Sequence, residues 1–317
     1  MTSFDLAVDP PALPRGPAAR PFDDIRLARA RIVLTYLWGH RRFPDLHRAL
    51  RFTEMVQLRK LHDRSAALPV LMDKIAAKAL AAEVLGPEWT IPTAWSGTRL
   101  PDDPPLAKPA ILKARHGCNQ NIVFREAPTR VAWQIARTSS TQWVKRPYGK
   151  WLDEWAYRDV PRGLIAEPLV GDGPELPVDY KIYVFGGQAT HVQVHLGRGR
   201  RHRWILHDRD WQQLVPCGDP PPPPNTLSDM LSAAEALARD VSFLRVDFYE
   251  VAGRPLFGEF CLYPGSGLDP FAADWIDFEL GTLWANALCA LRVDASVRRA
   301  PDPVKRGPFR WAQSLNK

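Results

Sequence analysis

The sequence predicts an α+β fold, and three observations carry that prediction. Runs of alternating apolar residues come in pairs around short glycine turns, as in hairpins. Helical patterns lie between these groups of strands. The regular strand–helix–strand order of a parallel doubly wound sheet is not legible.

The elements follow in order. Residues 1–20 are rich in proline and alanine and are expected to be disordered. Residues 22–62 carry helical periodicity with many arginines. "VLMDKIAAKALAAEVLG" predicts one helix ending at Gly86-Pro87, with Asp73 and Lys74 as a surface pair. "WSGTRLPDDPPLAKP" is a loop by its prolines. "AILKA" and "NIVF" are strands joined by "RHGCNQ", and a helical pattern returns around 129–145. "GLIAEPLV" is an apolar strand running into the polar loop "GDGPELP". Trp133, Trp143, Trp151 and Trp155 read as packing residues.

"VDYKIYVFGGQATHVQVHL" is a hairpin turning at Gly186-Gly187. With a three-residue loop, Tyr180, Ile182, Val184, Val192 and Val194 share one face. Asp179, Lys181, His191, Gln193 and His195 share the other, which reads as solvated. "DPPPPPN" is a stiff surface connection. An amphipathic helix is expected at 227–239, another helix at 277–291, and then a basic tail.

The last hairpin, "FLRVDFYEVAGRPLFGEFCLYPGSG", raises a chemical question. A three-residue loop at Ala252-Gly253-Arg254 sets Asp247 opposite Glu259 and Arg245 opposite Cys261. Carboxylates facing each other across a sheet repel, so the pair requires a cation. A hard divalent ion such as Mg²⁺ takes one or two carboxylates and leaves its other positions for water and phosphate.

Composition narrows the classes. The chain has 317 residues, 45% of them hydrophobic, with a net charge of +7, and the isoelectric point is about 9.4. This suits an anionic ligand, but the charge is dispersed and no nucleic-acid-binding module accompanies it. Cys118, Cys217, Cys261 and Cys289 show no CxxC spacing, so neither a zinc site nor a disulfide framework is expected. No signal peptide and no transmembrane segment are legible, and a cytoplasmic protein is expected. The sequence leaves the oligomeric state open.

The order of "RKLHDR", "LMDKIAAK", "ILKARHG", "LIAEPLV", "PVDYKIYVFGG" and "RVDFYEV…LFGEFCLYPGSG" resembles the TupA-like branch of the ATP-grasp superfamily, from Phe43 to Trp284. The resemblance implies an ATP-grasp fold, with two α+β lobes around a nucleotide cleft and an N-terminal helical region before them. The corresponding parts are a helical region at 21–107, a small lobe at 108–170, a large lobe at 171–292 and a tail at 293–317.

The resemblance also implies roles. Asp247 and Glu259 look like magnesium ligands, with Cys261 at the third ligand position. Arg245 looks like the arginine that steadies the transferring phosphoryl group, and Gly265 sits where a backbone N–H meets the oxyanion. Lys113 matches a lysine on the nucleotide phosphates, and His116 and Gly117 match the loop closing over them. Glu167, Pro168 and Val170 match the hinge that holds adenine, and Glu175 matches the ribose contact. Lys181 matches a basic position facing the phosphates.

The implied function is an ATP- and Mg²⁺-dependent carboxylate–amine ligase acting through an acyl phosphate. Its partners would be small carboxylate and amine substrates, sugar-linked through surface-polysaccharide biosynthesis, and not nucleic acid. Two departures define a second reading, a catalytically weakened member that binds nucleotide or glycan. Cys261 stands where the family carries Asn or Thr, and "GCNQ" replaces Gly-Ser-Gly-Gly. A glycosyltransferase acting on a nucleotide sugar ranks third; it would need a diphosphate–metal site.

Overall fold

The computed structural model describes residues 24–105, 109–171, 176–197, 202–216 and 218–299. The expected disordered segment 1–20, Glu175 and Cys217 lie outside the described residues.

Two helices open the described chain. In α1 (Ile25–His40), the Asp24 carboxylate accepts from the N–H groups of Arg26 and Leu27. The helix stops at Arg41, whose φ of 56° is left-handed. α2 (Phe52–His62) is buried on nearly every side. Its arginine is a core residue: Arg59 is 4% exposed and donates to the Phe243 carbonyl at 2.8 Å. The same guanidinium lies 4.4 Å from the Trp284 ring centre.

The single helix expected before Gly86 is two helices, α3 (Ala67–Met72) and α4 (Lys74–Leu85). Asp73 breaks the run. Its backbone is extended (φ −80°, ψ 110°) and its carboxylate accepts from the Ile75 N–H as the cap of α4. Asp73 is also buried and paired with Arg115, so it is no surface residue.

The small sheet contains β1 (Trp95–Gly97), β2 (Ala110–Ala114), β3 (Asn121–Phe124) and β4 (Leu164–Pro168). Its order is β1-β4-β2-β3, and every pairing is antiparallel. β1 lies in the stretch expected to be loop; three residues are too few to display alternation. α5 (Arg130–Lys145) covers this sheet and packs Trp133 against Phe124. Trp155 is buried as well, whereas Trp151 stands 71% exposed.

The large sheet contains β5 (Asp179–Phe185), β6 (Gln188–Leu196), β7 (Arg203–Asp208), β8 (Phe243–Val251) and β9 (Arg254–Cys261). Its order is β7-β6-β5-β8-β9, again antiparallel. The sequence reading contained no β7, whose buried positions Ile205, Leu206 and His207 run consecutively instead of alternating.

Both long hairpins reach their expected pairing by an unexpected route. Each turns on two residues: Gly186-Gly187 has φ of 57° and 83°, and Ala252-Gly253 has φ of 50° and 71°. Two left-handed residues make the tight hairpin turn. A bulge then adds one residue to the return strand, beyond Val184↔Ala189 in one hairpin and beyond Phe248↔Phe257 in the other. A two-residue turn plus a bulge gives the same register as a three-residue loop. Asp247 therefore pairs with Glu259 and Arg245 with Cys261, as expected.

One face of the large sheet packs its aliphatic residues against α6 (Leu227–Ala238). The opposite face changes character along its length. At one end Tyr183, Phe185 and Phe243 cluster with Phe52 of α2 and Trp284 of α7 (Asp274–Arg299). At the other end Lys181, Arg245 and Asp247 occupy the same strand face. It was expected to be solvated, yet Asp179, Lys181, His191 and Gln193 are all buried.

α7 begins earlier and runs longer than the helix expected at 277–291, and it packs along α2. Gly281 permits that approach: a Cβ there would come 2.2 Å from the Leu50 carbonyl oxygen. Gly281→Ala is expected to cost about 1–3 kcal/mol of stability, read as a lowered thermal midpoint. An unchanged midpoint would contradict this packing.

Candidate functional site

A cavity of about 870 Å³ lies between the two sheets. The small sheet and its loops contribute Lys113, Gly117, Glu167, Pro168 and Val170. The large sheet and the loop after β9 contribute Lys181, Arg245, Glu259, Cys261 and Gly265. Ten of the residues singled out from sequence thus meet around one space. Asp247 lies just below its floor at 1% exposure. His116 is turned away from it.

The floor is an ion network. Arg245 donates to both Asp247 oxygens, Nε to Oδ1 at 2.7 Å and Nη2 to Oδ2 at 2.8 Å. Lys181 Nζ lies 2.5 Å from Asp247 Oδ2 and 2.6 Å from Asp179 Oδ2. Burial opposes the charge on Lys181, but Asp179 and Asp247 outweigh it and hold the ammonium above its ordinary pKa. Burial likewise opposes ionisation of Glu259. Lys74, 2.9 Å away, outweighs burial with help from Lys181 and holds that carboxyl well below its ordinary pKa.

The opposite wall repeats the arrangement. Glu167, 3% exposed, accepts from Lys113 at 2.7 Å and from Lys78 at 2.7 Å. Burial raises its pKa, and the two ammonium groups lower it further than burial raises it. Lys74, expected on the surface, and Lys78, which the sequence reading did not single out, both line the cavity. The available signal was their spacing: two lysines one helical turn apart, directly after the Asp73 cap. They serve opposite walls of the cavity.

His116 fixes the base of the phosphate-loop candidate. It is 1% exposed, and its Nδ1 accepts from the Gly163 N–H at 3.3 Å. The tautomer with hydrogen on Nε2 then donates to the Trp143 carbonyl at 3.1 Å. Beyond it, Asn119 has a φ of 56°. Asparagine tolerates the left-handed region, so this loop forms a glycine-type turn without the missing glycines.

After β9, Gly265, Ser266 and Gly267 are all left-handed, with φ of 52°, 57° and 64°. For Ser266 this costs about 1–2 kcal/mol. α2 holds the segment in place: Lys60 Nζ donates to the Ser266 carbonyl at 2.8 Å and Oγ at 2.7 Å, and Gln57 Nε2 donates to the Gly267 carbonyl at 3.1 Å. Burial lowers the Lys60 pKa to about 8, against the pull of Glu154.

Magnesium can be tested against these donors. Glu259 is ionised and lines the cavity, with Asp247 beside it. Glu259 by itself meets the requirement of one carboxylate, because both Asp247 oxygens are already held by Arg245 and Lys181. The third position does not fit: burial pushes the Cys261 thiol up to about 12, and a protonated thiol is a poor ligand for a hard ion. Among the described residues, no group of three His, Cys, Asp or Glu is arranged to hold a metal ion. Nor is any described helix long and apolar enough to cross a membrane.

The family model described as TupA-like ATPgrasp matches residues 54–285, well over half of the chain. Curated proteins yield no match. Among solved structures, the chain is similar to D-alanine–D-alanine ligase from Bacillus anthracis, with 13% identity over 73% of this chain and 69% of that one and a TM-score of 0.41. It is also similar to the D-cycloserine synthetase DcsG, with 15% identity over 80% of each chain and a TM-score of 0.43. N5-carboxyaminoimidazole ribonucleotide synthetase from Thermus thermophilus shares 18% identity over 65% of this chain and 51% of that one, with a TM-score of 0.37.

Burial of the site's sheet face has a pH signature. His191 is 3% exposed, and burial lowers its pKa to about 4, against an opposing pull from Asp208. The unfolded imidazole titrates near ~6.5, so the unfolded chain binds the extra proton between those values. Stability therefore falls as the pH drops from about 6.5 to about 4 and levels off below. His191→Gln is expected to remove about 1–3 kcal/mol of that fall, measured by denaturant unfolding across the range. An equally steep fall in the variant would refute the assignment.

Proposed function

The chain belongs to the TupA-like ATP-grasp family, and on that premise we propose that it is an ATP-dependent carboxylate–amine ligase. The observation that carries this reading is the convergence of Lys74, Lys78, Lys113, Lys181 and Arg245 on one cavity, where buried or cavity-lining carboxylates hold them. Such a set offers a triphosphate prepositioned positive charge. Phosphoryl transfer depends mainly on positioning and charge neutralisation.

In the proposed reaction a substrate carboxylate oxygen attacks the γ-phosphorus of ATP, and the bond to the β–γ bridging oxygen breaks, giving an acyl phosphate and ADP. An amine then attacks the acyl carbon. The C–O bond breaks, phosphate leaves and the nitrogen gives up a proton as the amide forms. Lys113, Lys181 and Arg245 neutralise the phosphates, and the Gly265 N–H meets the developing oxyanion. Glu167 to Val170 hold the adenine edge through backbone groups, for which only the carbonyl of Pro168 is needed. His116 acts from behind by fixing the loop at Gly117. Glu259 would hold Mg²⁺, with Asp247 beneath it as the second carboxylate that the family pattern implies, and the ion would supply Lewis-acid charge at the phosphates. Surface-polysaccharide building blocks are the proposed substrates, through the family association.

Calorimetry with magnesium and ATP tests the nucleotide half. Binding is expected, and Lys113→Ala should weaken it at least about tenfold, the loss of about 1.4 kcal/mol. An unaltered affinity would remove Lys113 from the site. ADP release on adding uronic or amino acids with amines tests the ligase half.

Cys261 favours a second reading, a member that binds nucleotide but turns over slowly. Cys261→Asn gives the third position a hard oxygen donor, so magnesium-dependent ATP affinity should rise several-fold. No gain would remove Cys261 as the weak point.

A further inference from the structure

The outer face of α1 presents a surface that the proposed ligase reaction does not use. Leu27, Leu34 and Trp38 are 59%, 65% and 79% exposed. At about 100° per residue they fall within about 40° of one another on the helix, so they form one stripe. Phe43, just past the helix, is 70% exposed. A stripe of this kind, with a large indole in water, calls for a covering partner.

The surroundings identify its chemistry. Arg31 lies about 40° around the helix from Leu27, and Arg41, exposed, sets its guanidinium 6.0 Å from the Trp38 ring centre. Three aspartates lie nearby. Asp24 accepts from the Arg26 and Leu27 N–H groups, and Asp45 accepts from the His47 and Arg48 N–H groups. Asp153 is buried under Arg31. The chain as a whole carries a net charge of +7.

Apolar side chains flanked by arginines, with a tryptophan able to sit at headgroup depth, complement an anionic lipid surface. We infer that α1 docks this protein on an anionic membrane, with Leu34 and Trp38 entering the interface and the flanking arginines meeting lipid phosphates. The same helix touches the catalytic rim: His40 Nε2 lies 3.0 Å from the Gly267 carbonyl oxygen, and a Cβ on Gly39 would come 2.8 Å from that of Leu268. Both contacts come from the side of the helix turned away from the stripe, about 120–140° around it from Leu27. The docking itself does not depend on the proposed reaction.

Co-sedimentation with vesicles tests it. The full chain is expected to pellet with phosphatidylcholine vesicles containing about one third phosphatidylglycerol, and to release as salt rises. Leu34→Glu and Trp38→Glu should each cut partitioning at least about tenfold. Val131→Glu, at an apolar position 70% exposed on α5, should leave it unchanged. Failure of the parent chain to pellet, equal pelleting of Trp38→Glu, or equal binding to pure phosphatidylcholine would overturn the inference. So would a shift in solution mass on Leu34→Glu without any lipid effect, since a second copy would then cover the stripe. Magnesium–ATP affinity, measured on the same variants, should stay constant.

Discussion

The contact between Arg245, Asp247 and Lys181 is the constraint on which the rest of the site depends. A carboxylate 1% exposed cannot stay charged alone. Asp247 stays buried because an arginine from its own strand and a lysine from the neighbouring strand both donate to it. That triad fixes the side chains whose outer faces line the cavity. It also couples β5 to β8, so Lys181 and Arg245 cannot move independently. Removing one partner from such a network leaves a buried charge uncompensated, which costs about 3–5 kcal/mol.

The aromatic end of the same strand face anchors that charged floor. Phe52 and Trp284 seal Phe185 and Phe243 away from water, and α2 continues from this cluster to the left-handed segment at Gly265–Gly267. One buried helix therefore supports both the sheet that carries the cations and the loop that carries the proposed oxyanion donor. Its internal polar groups explain its unusual composition. Arg59, Lys60 and Gln57 are core residues because each satisfies backbone carbonyls that no strand can reach.

Sequence alone exposed the strands with clean alternation and both hairpin registers. The registers came out right because a bulge restores the residue that a tighter turn removes, a compensation invisible to counting. β1 and β7 stayed hidden because one is too short to alternate and the other is buried consecutively. The break at Asp73 stayed hidden because an aspartate inside a helix-forming run reads equally well as interior or as cap. The cavity-lining residues were legible through the family resemblance more than through spacing. Lys74 and Lys78 were not, because their meaning depends on Glu259 and Glu167, which lie far away in sequence and arrive only through the tertiary fold.

A crystal structure with a non-hydrolysable ATP analogue and magnesium tests the central claim most directly. The account predicts adenine against residues 167–170, with the triphosphate crossing from Lys113 to Lys181 and Arg245 and the ion on Glu259. A nucleotide bound outside the space between the two sheets, or a triphosphate touching none of those cations, would contradict it.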